Sequence, residues 1–331
     1  MRIGIHSPNW VGDAVMSLLF VNRCRLQFPQ DELVVVAKSW VSAIFQNHPF
    51  IGEVVVLESD AVSGGISTTK TGRRLRRSGL DMFFILPDSW RSAYLAWLSG
   101  AEERIGFRGQ YRSFLFSQAV SHSMKSVHRS VEYLSLLSDK SHSPKEDITG
   151  IQVSDEEKEW ARAELTQLGL TKPIAVFPSS VAPSRRVPME KWEKILDLAI
   201  DAGHLLLFIG GSADKVVGDS LIERLGGNGA RSVCGNYSLR QSIALISKCD
   251  GAISTDTGLG HIAANLGLKT ISLFGAGDPS RTAPLGSRTI VITENVYCSP
   301  CRKNVCENSE EPLICLKSID ASKVWESYLS L

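Results

Sequence analysis

Residues 252–264 read Ala-Ile-Ser-Thr-Asp-Thr-Gly-Leu-Gly-His-Ile-Ala-Ala. The opening residues, 252–254, suit a buried strand, and the run from Leu259 onward enters a helix. The loop between them is short and built of small residues, which lets backbone approach a ligand closely. A strand that feeds a helix in this way is half of a βαβ unit. The free N–H groups at the start of such a helix, with about half a positive charge, suit a phosphate.

Within this loop several residues carry two readings. Asp256 would repel a phosphate directly, so its expected role is to cap the helix or orient the Gly258 and Leu259 amides. Thr257 offers a hydroxyl. His261, one turn inside, is either a structural helix histidine or the donor of an imidazole N–H to a diphosphate oxygen. The spacing Gly258-x-Gly260-x-x-Ala263, with Asp278 beyond the next strand, also fits a dinucleotide fingerprint. That keeps an NAD- or nucleotide-sugar-binding epimerase-type enzyme open, although the fingerprint ordinarily opens the first strand–helix unit of its domain.

The same pattern extends outward. Strands are expected at 174–177, 205–209, 252–254, 270–274 and 289–292. A helix is expected over 190–202, with Trp192, Ile195, Leu196 and Ala199 on one face, Pro188 ahead and Gly203 behind. The first half predicts strands at 2–6, 33–36, 53–57, 82–86 and 104–106 and a helix over 13–28. Between the halves, 138–145 is Ser/Lys-rich like a linker, and 154–160 opens a charged helix. The expected fold class is α/β. Two Rossmann-like domains, 1–160 and 161–331, have parallel sheets facing across a cleft, and the last helix packs back on the first domain. Ligands of such sheets bind beyond the carboxyl ends of the strands.

Three further loops leave strands at that end. In 7–13 (SPNWVGD), Gly12 permits close backbone approach, and Asp13 is either a helix N-cap or a general base. In 178–188 (PSSVAPSRRVP), Ser179 and Ser180 can hydrogen-bond phosphate oxygens and Arg185 or Arg186 can neutralise one, unless this is an ordinary exposed loop. In 210–214, Asp214 either meets a ribose or sugar hydroxyl or caps a helix. Residues 73–77 carry four arginines around Leu75, which reads as a solvated face or as an attractor of an anionic acceptor.

Composition narrows the classes. Lys plus Arg is 36 and Asp plus Glu is 35 among 331 residues, a formal charge of +1, so there is no bulk field for nucleic acid or an anionic membrane. With 43% hydrophobic and 21% charged residues, disorder is excluded. No apolar run reaches the roughly 20 residues of a membrane span. The N-terminus shows no signal-peptide pattern, and seven cysteines read most simply as reduced thiols, so a cytoplasmic protein is expected. Cys298, Cys301, Cys306 and Cys315 cluster; they are free thiols, a structural zinc site or disulfides.

Together the motifs resemble the ADP-heptose:lipopolysaccharide heptosyltransferases (glycosyltransferase family 9), most like the heptosyltransferase II branch. The resemblance rests on NWVGDAVMS (9–17), LPDSWRSA (86–93) followed by RIGF (104–107), DTGLGHIAANLG (256–267) with SLFGAGDPSRTAP (272–284), and CSPC (298–301), in that order. It implies a GT-B fold with an acceptor-binding first half and a donor-binding second half. It also implies an inverting, metal-independent transfer of heptose from ADP-heptose to the inner core of lipopolysaccharide, at the cytoplasmic face of the inner membrane. It casts Asp13 as the base. Asp256, Thr257, Gly258 and His261 become donor contacts, with Ser179, Ser180 and Asp214 beside them. The family's basic residue before a Trp-Pro pair maps to Arg185, or one residue on to Arg186, and this chain has Val187-Pro188 there. Asn9, Trp10, Gly12, Arg73 and Arg76 fall on the acceptor side. A catalytically inactive nucleotide-sugar-binding relative is the non-enzymatic alternative.

Overall fold

The computed structural model describes residues 1–58, 60–61, 64–123, 126–137, 149–227 and 229–331. They form two compact units, Met1–Gln152 and Val153–Leu331. The expected linker 138–145 lies outside the described residues.

The first unit holds β1 (Arg2–His6), β2 (Glu32–Lys38), β3 (Glu53–Leu57), β4 (Met82–Ile85), β5 (Glu103–Phe107) and β6 (Gln118–Val120). They lie in the order β3-β2-β1-β4-β5-β6, and every neighbouring pair is parallel. The second unit holds β7 (Ile174–Phe177), β8 (Leu206–Phe208), β9 (Ala230–Ser232), β10 (Gly251–Thr255), β11 (Lys269–Phe274) and β12 (Thr289–Thr293). Its order is β12-β11-β10-β7-β8-β9, again all parallel. Counted from its own first strand, each sheet has the order 3-2-1-4-5-6 of dinucleotide-binding sheets.

The central strands are unbroken apolar runs because helices cover both faces of a parallel sheet. Residues 33–37 of β2 and all of β4, β7 and β10 are buried. β6 and β9, absent from the sequence reading, are three-residue edge strands with too little apolar text to register. The single helix expected over 13–28 is two, Val11–Met16 and Leu18–Gln27. They divide at Ser17, whose hydroxyl donates back to Ala14 O at 2.7 Å.

In the second unit Trp192, Ile195, Leu196 and Ala199 of the helix Met189–Asp201 are all fully buried, and Gly203 follows it at φ +84°. The last helix, Ala321–Leu329, buries Val324, Trp325 and Tyr328 in the core of the second unit. Tyr328 donates to Asp250 Oδ2 at 3.0 Å. Gly251 gives it room, since a Cβ there would stand 2.6 Å from the Tyr328 hydroxyl. Among the described residues no helix is long and apolar enough to cross a membrane.

Candidate active site

In a sheet of this order the connections leave in opposite directions from the two central strands, and a crevice opens at their carboxyl ends. In the second unit those strands are β7 and β10. The loops after them, 178–188 and 256–257, are the ones singled out from the sequence, and hydrogen bonds tie them together. Ser180 Oγ donates to Asp256 O at 3.0 Å, and Thr255 Oγ1 to Ser179 O at 3.5 Å.

Asp256 is only 6% exposed, and its Oδ2 lies 3.2 Å from Nη1 of Arg185, which is 31% exposed. A carboxylate this deep needs an opposite charge to remain ionised at tolerable cost. Gly277 makes the pocket for it: a Cβ at that position would come within 2.1 Å of Asp256 Oδ2. The two adjacent arginines therefore part company. Arg185 stands in the crevice with Asp256. Arg186 folds back on its own loop, donating from Nε to Ser180 O at 2.7 Å.

Thr257 is the N-cap of the helix Gly258–Asn265, and its side chain makes no capping hydrogen bond. The helix sits tight on β10, because a Cβ on Gly260 would stand 2.5 Å from Ser254 Oγ. His261 is buried in the first turns. Asp214 takes the capping alternative: its Oδ2 accepts from Gly211 N at 2.8 Å.

A later segment braces this crevice, which the sequence reading did not anticipate. Ser184 donates from N to Asn304 O at 3.1 Å and from Oγ to Lys303 O at 2.5 Å. On the other side Arg302 N donates to Ala276 O and Ser299 Oγ to Gly275 O, both at 2.7 Å. The strip 299–304 thus fixes the loop bearing Arg185 and the loop bearing Gly277. All seven cysteines are free thiols, and burial pushes the Cys315 thiol up. Among the described residues no group of three or more His, Cys, Asp or Glu side chains is placed to hold a metal ion.

In the first unit the corresponding crevice lies between β1 and β4. The loop after β1 is pinned by Ser7 N to Val36 O at 2.9 Å and by Trp40 Nε1 to Asn9 O at 2.8 Å. Asn9 Oδ1 is buried without a hydrogen-bond partner. Trp10 is 64% exposed and is the N-cap of the helix Val11–Met16. The N-cap reading of Asp13 is thereby corrected: it lies in the first turn, half-buried beside half-buried Gly12. Its charge is felt in the helix Arg129–Leu134. Burial holds the Tyr133 phenol well above its ordinary range, and Asp13 adds to that. Burial opposes the charge of Arg129, yet Tyr133, Glu132, Asp13 and Asp88 together hold its pKa above the ordinary value.

Asp88, in the loop after β4, was missed as a site residue. Its partners are Arg112, His122 and Arg129, which come from aperiodic text and converge only in the fold. Arg73 and Arg76 are exposed near the end of the helix Gly65–Leu75 and in the turn that follows. A cavity of about 960 Å³ between β3 and this helix is lined instead by Lys70, Arg74 and Arg77, the i, i+4, i+7 face.

Two Rossmann-like units of one strand order, the second with an amide- and guanidinium-lined crevice, define the architecture of GT-B glycosyltransferases. The sequence profile of glycosyltransferase family 9 (heptosyltransferase) matches residues 68–311. Lipopolysaccharide heptosyltransferase 2 of Escherichia coli (strain K12) is 27% identical over 307 residues, 88% of each chain. Lipooligosaccharide heptosyltransferase 2 of Haemophilus influenzae is 25% identical over 308 residues, again 88% of each. Among solved structures, E. coli ADP-heptose lps heptosyltransferase II superposes with a TM-score of 0.81 at 24% identity, over 100% of this chain and 98% of that one. A family 9 glycosyltransferase from Veillonella parvula gives 0.85 at 20% identity, over 99% and 96%. The chain belongs to glycosyltransferase family 9, the heptosyltransferase family, and is a glycosyltransferase.

One titration is set by the first crevice. His6, the last residue of β1, is 3% exposed with no partner for Nδ1, and burial, helped by the Lys38 charge, pushes it down to about 4. Below pH 6.5, its ordinary value, the unfolded chain takes up a proton that the folded chain refuses. This site therefore lowers stability as pH falls from about 6.5 to about 4, by on the order of 3 kcal/mol. Urea unfolding across that range should show a steeper loss for the wild type than for His6→Gln.

Proposed function

We propose that the chain transfers heptose, with inversion, from ADP-heptose to an inner-core sugar of lipopolysaccharide. The observation that carries this reading is the partly exposed Arg185 held by buried Asp256 beside the amino terminus of the helix Gly258–Asn265. That combination suits the diphosphate of a nucleotide sugar. Support comes from the relatives named above and from the solved structure of an E. coli heptosyltransferase with ADP, TM-score 0.73 at 17% identity over 100% of this chain and 99% of that one, which speaks for the fold.

In this mechanism the second unit binds the donor. Arg185 and the Gly258 and Leu259 amides face the diphosphate, Thr257 and His261 offer donors to it, and Ser179, Ser180, Arg186 and Asp214 hold the loops in shape. The first unit binds the acceptor through its β1 loop, with Asn9, Trp10 and Gly12 shaping the place beside Asp13. An acceptor hydroxyl attacks the anomeric carbon from the face opposite ADP. The new carbon–oxygen bond forms as the bond from that carbon to the β-phosphate oxygen breaks. Asp13 takes the hydroxyl proton, and ADP leaves with the bonding electrons. The developing positive charge at the anomeric carbon is stabilised by a nearby carboxylate, and the negative charge on ADP by Arg185 and the helix amides. The reaction balances with the chain's own groups and the two substrates. The acceptor is an anionic glycolipid, so contact with the cytoplasmic face of the inner membrane is peripheral, through exposed cations such as Arg73 and Arg76.

The deciding assay incubates the full chain with ADP-heptose and truncated core acceptors. The expected result is one heptosyl mass increment on the acceptor with equimolar ADP, and its absence on every acceptor overturns the reading. Asp13→Asn is expected to lower kcat by about 10²–10⁴-fold with ADP affinity unchanged; near-normal turnover would remove Asp13 from the role of base. Arg185→Ala removes the guanidinium that faces the diphosphate and should weaken ADP binding by about tenfold or more, as read by calorimetry.

A further inference from the structure

Asp88 lies three residues past β4, at the carboxyl end of the first unit's central strands. Its loop is tied to the end of β1 by Leu86 N to His6 O at 3.3 Å. Its carboxylate is held from several sides. Arg112 Nη2 lies 3.0 Å from Oδ1, His122 Nε2 3.4 Å from Oδ1, and Arg129 Nη1 3.7 Å from Oδ2. Behind them Glu132, nearly buried, takes His122 Nδ1 and Arg129 Nη1, both at 2.9 Å. His122 lies flat on Phe107, ring centroids 4.5 Å apart. Despite these partners the Asp88 side chain is 39% exposed.

This is an uneconomical way to make a surface ion pair. Exposed pairs contribute little stability, whereas Arg112 is 1% exposed and its Nη1 finds no hydrogen-bond partner, a desolvation cost. What the arrangement achieves is a carboxylate fixed in place with an open side.

Arg112 also closes a turn of unusual backbone. Gly109, Gln110 and Tyr111 have φ of +149°, +48° and +53°, so two consecutive non-glycine residues occupy the left-handed region, a strained conformation. The turn is held by Arg112 N to Gly109 O at 3.1 Å, by the Arg112 guanidinium on Phe107 O, and by Gln110 Oε1 accepting from Trp90 N at 3.0 Å. That last bond joins it to the loop carrying Asp88. The turn displays Tyr111, 97% exposed. The buried arginine that clamps the carboxylate is thus next in sequence to the displayed ring.

We propose that Asp88 and Tyr111 form a sugar-binding subsite of the first unit. A pyranose has an apolar C–H face, which packs on an aromatic ring, and a rim of hydroxyls, which donate to a fixed carboxylate. A neutral, hydroxyl-rich ring is the ligand class that this pairing of ring and carboxylate fits. The inference rests on the acceptor reading above, and it makes Asp88 a binding residue, distinct from the base.

Two measurements on the full chain test it. In steady-state transfer, Asp88→Asn and Tyr111→Ala should each raise the acceptor KM about tenfold, with donor KM unchanged, the pH profile of kcat that of the wild type and, for Tyr111→Ala, the thermal midpoint unchanged as well. Tyr111→Phe should restore the acceptor KM. By saturation-transfer NMR without donor, a neutral methyl heptoside should show contact with the wild type that Asp88→Asn loses. An unchanged acceptor KM in both variants, or a rise accompanied by an equal rise in donor KM, overturns the subsite. Failure of the wild type to transfer at all overturns the proposed function instead, and the NMR titration then decides the subsite by itself.

Discussion

The second unit is organised around one buried charge. Asp256 sits where the crevice at the ends of β7 and β10 opens, and a carboxylate there, left alone, would be costly to bury. Arg185 at 3.2 Å offsets that cost. The neighbouring features follow from this pair. Gly277 is a glycine because the carboxylate occupies the space of its side chain, and Ser180 ties the loop of Arg185 to the backbone of Asp256. The strip 299–304 is hydrogen-bonded to the loops on both sides. Arg185 itself remains 31% exposed.

The first unit carries different side chains on the same sheet. Its central loops bear Asp13 and Asp88, and two arginines hold carboxylates there. Arg112 is buried and Arg129 is shared between Asp88 and Glu132. Strand order therefore determines where a ligand can sit, and the loops determine what charge it meets. Asp88 and Arg185 stand at equivalent ends of equivalent sheets.

Much of this was legible in the text of the chain. The runs 33–36, 82–85 and 174–177 are continuous apolar strands because helices cover both faces, and such runs stand out. The helix Met189–Asp201 declares itself by one apolar face between Pro188 and Gly203. Other features depend on distance in sequence. Whether Arg185 or Arg186 enters the crevice is decided by which one meets Asp256, seventy or so residues later. Asp88 is unremarkable until Arg112, His122 and Arg129 arrive around it. The arginines of 73–77 are indistinguishable as letters. In the fold Gly72 packs so closely that a Cβ would stand 2.4 Å from Leu98 Cβ, and that contact sends Lys70, Arg74 and Arg77 toward the cavity. Asp13 missed the cap by a turn's offset, since the helix begins at Val11.

The repeated strand order gives the molecule two crevices built on one plan, at the carboxyl ends of β1 and β4 and of β7 and β10. One set of loops bears Asp13 and Asp88, the other the Arg185–Asp256 pair. Because the sheet is held by its own strand pairing, a change confined to either set of loops leaves the other unit's framework as it was.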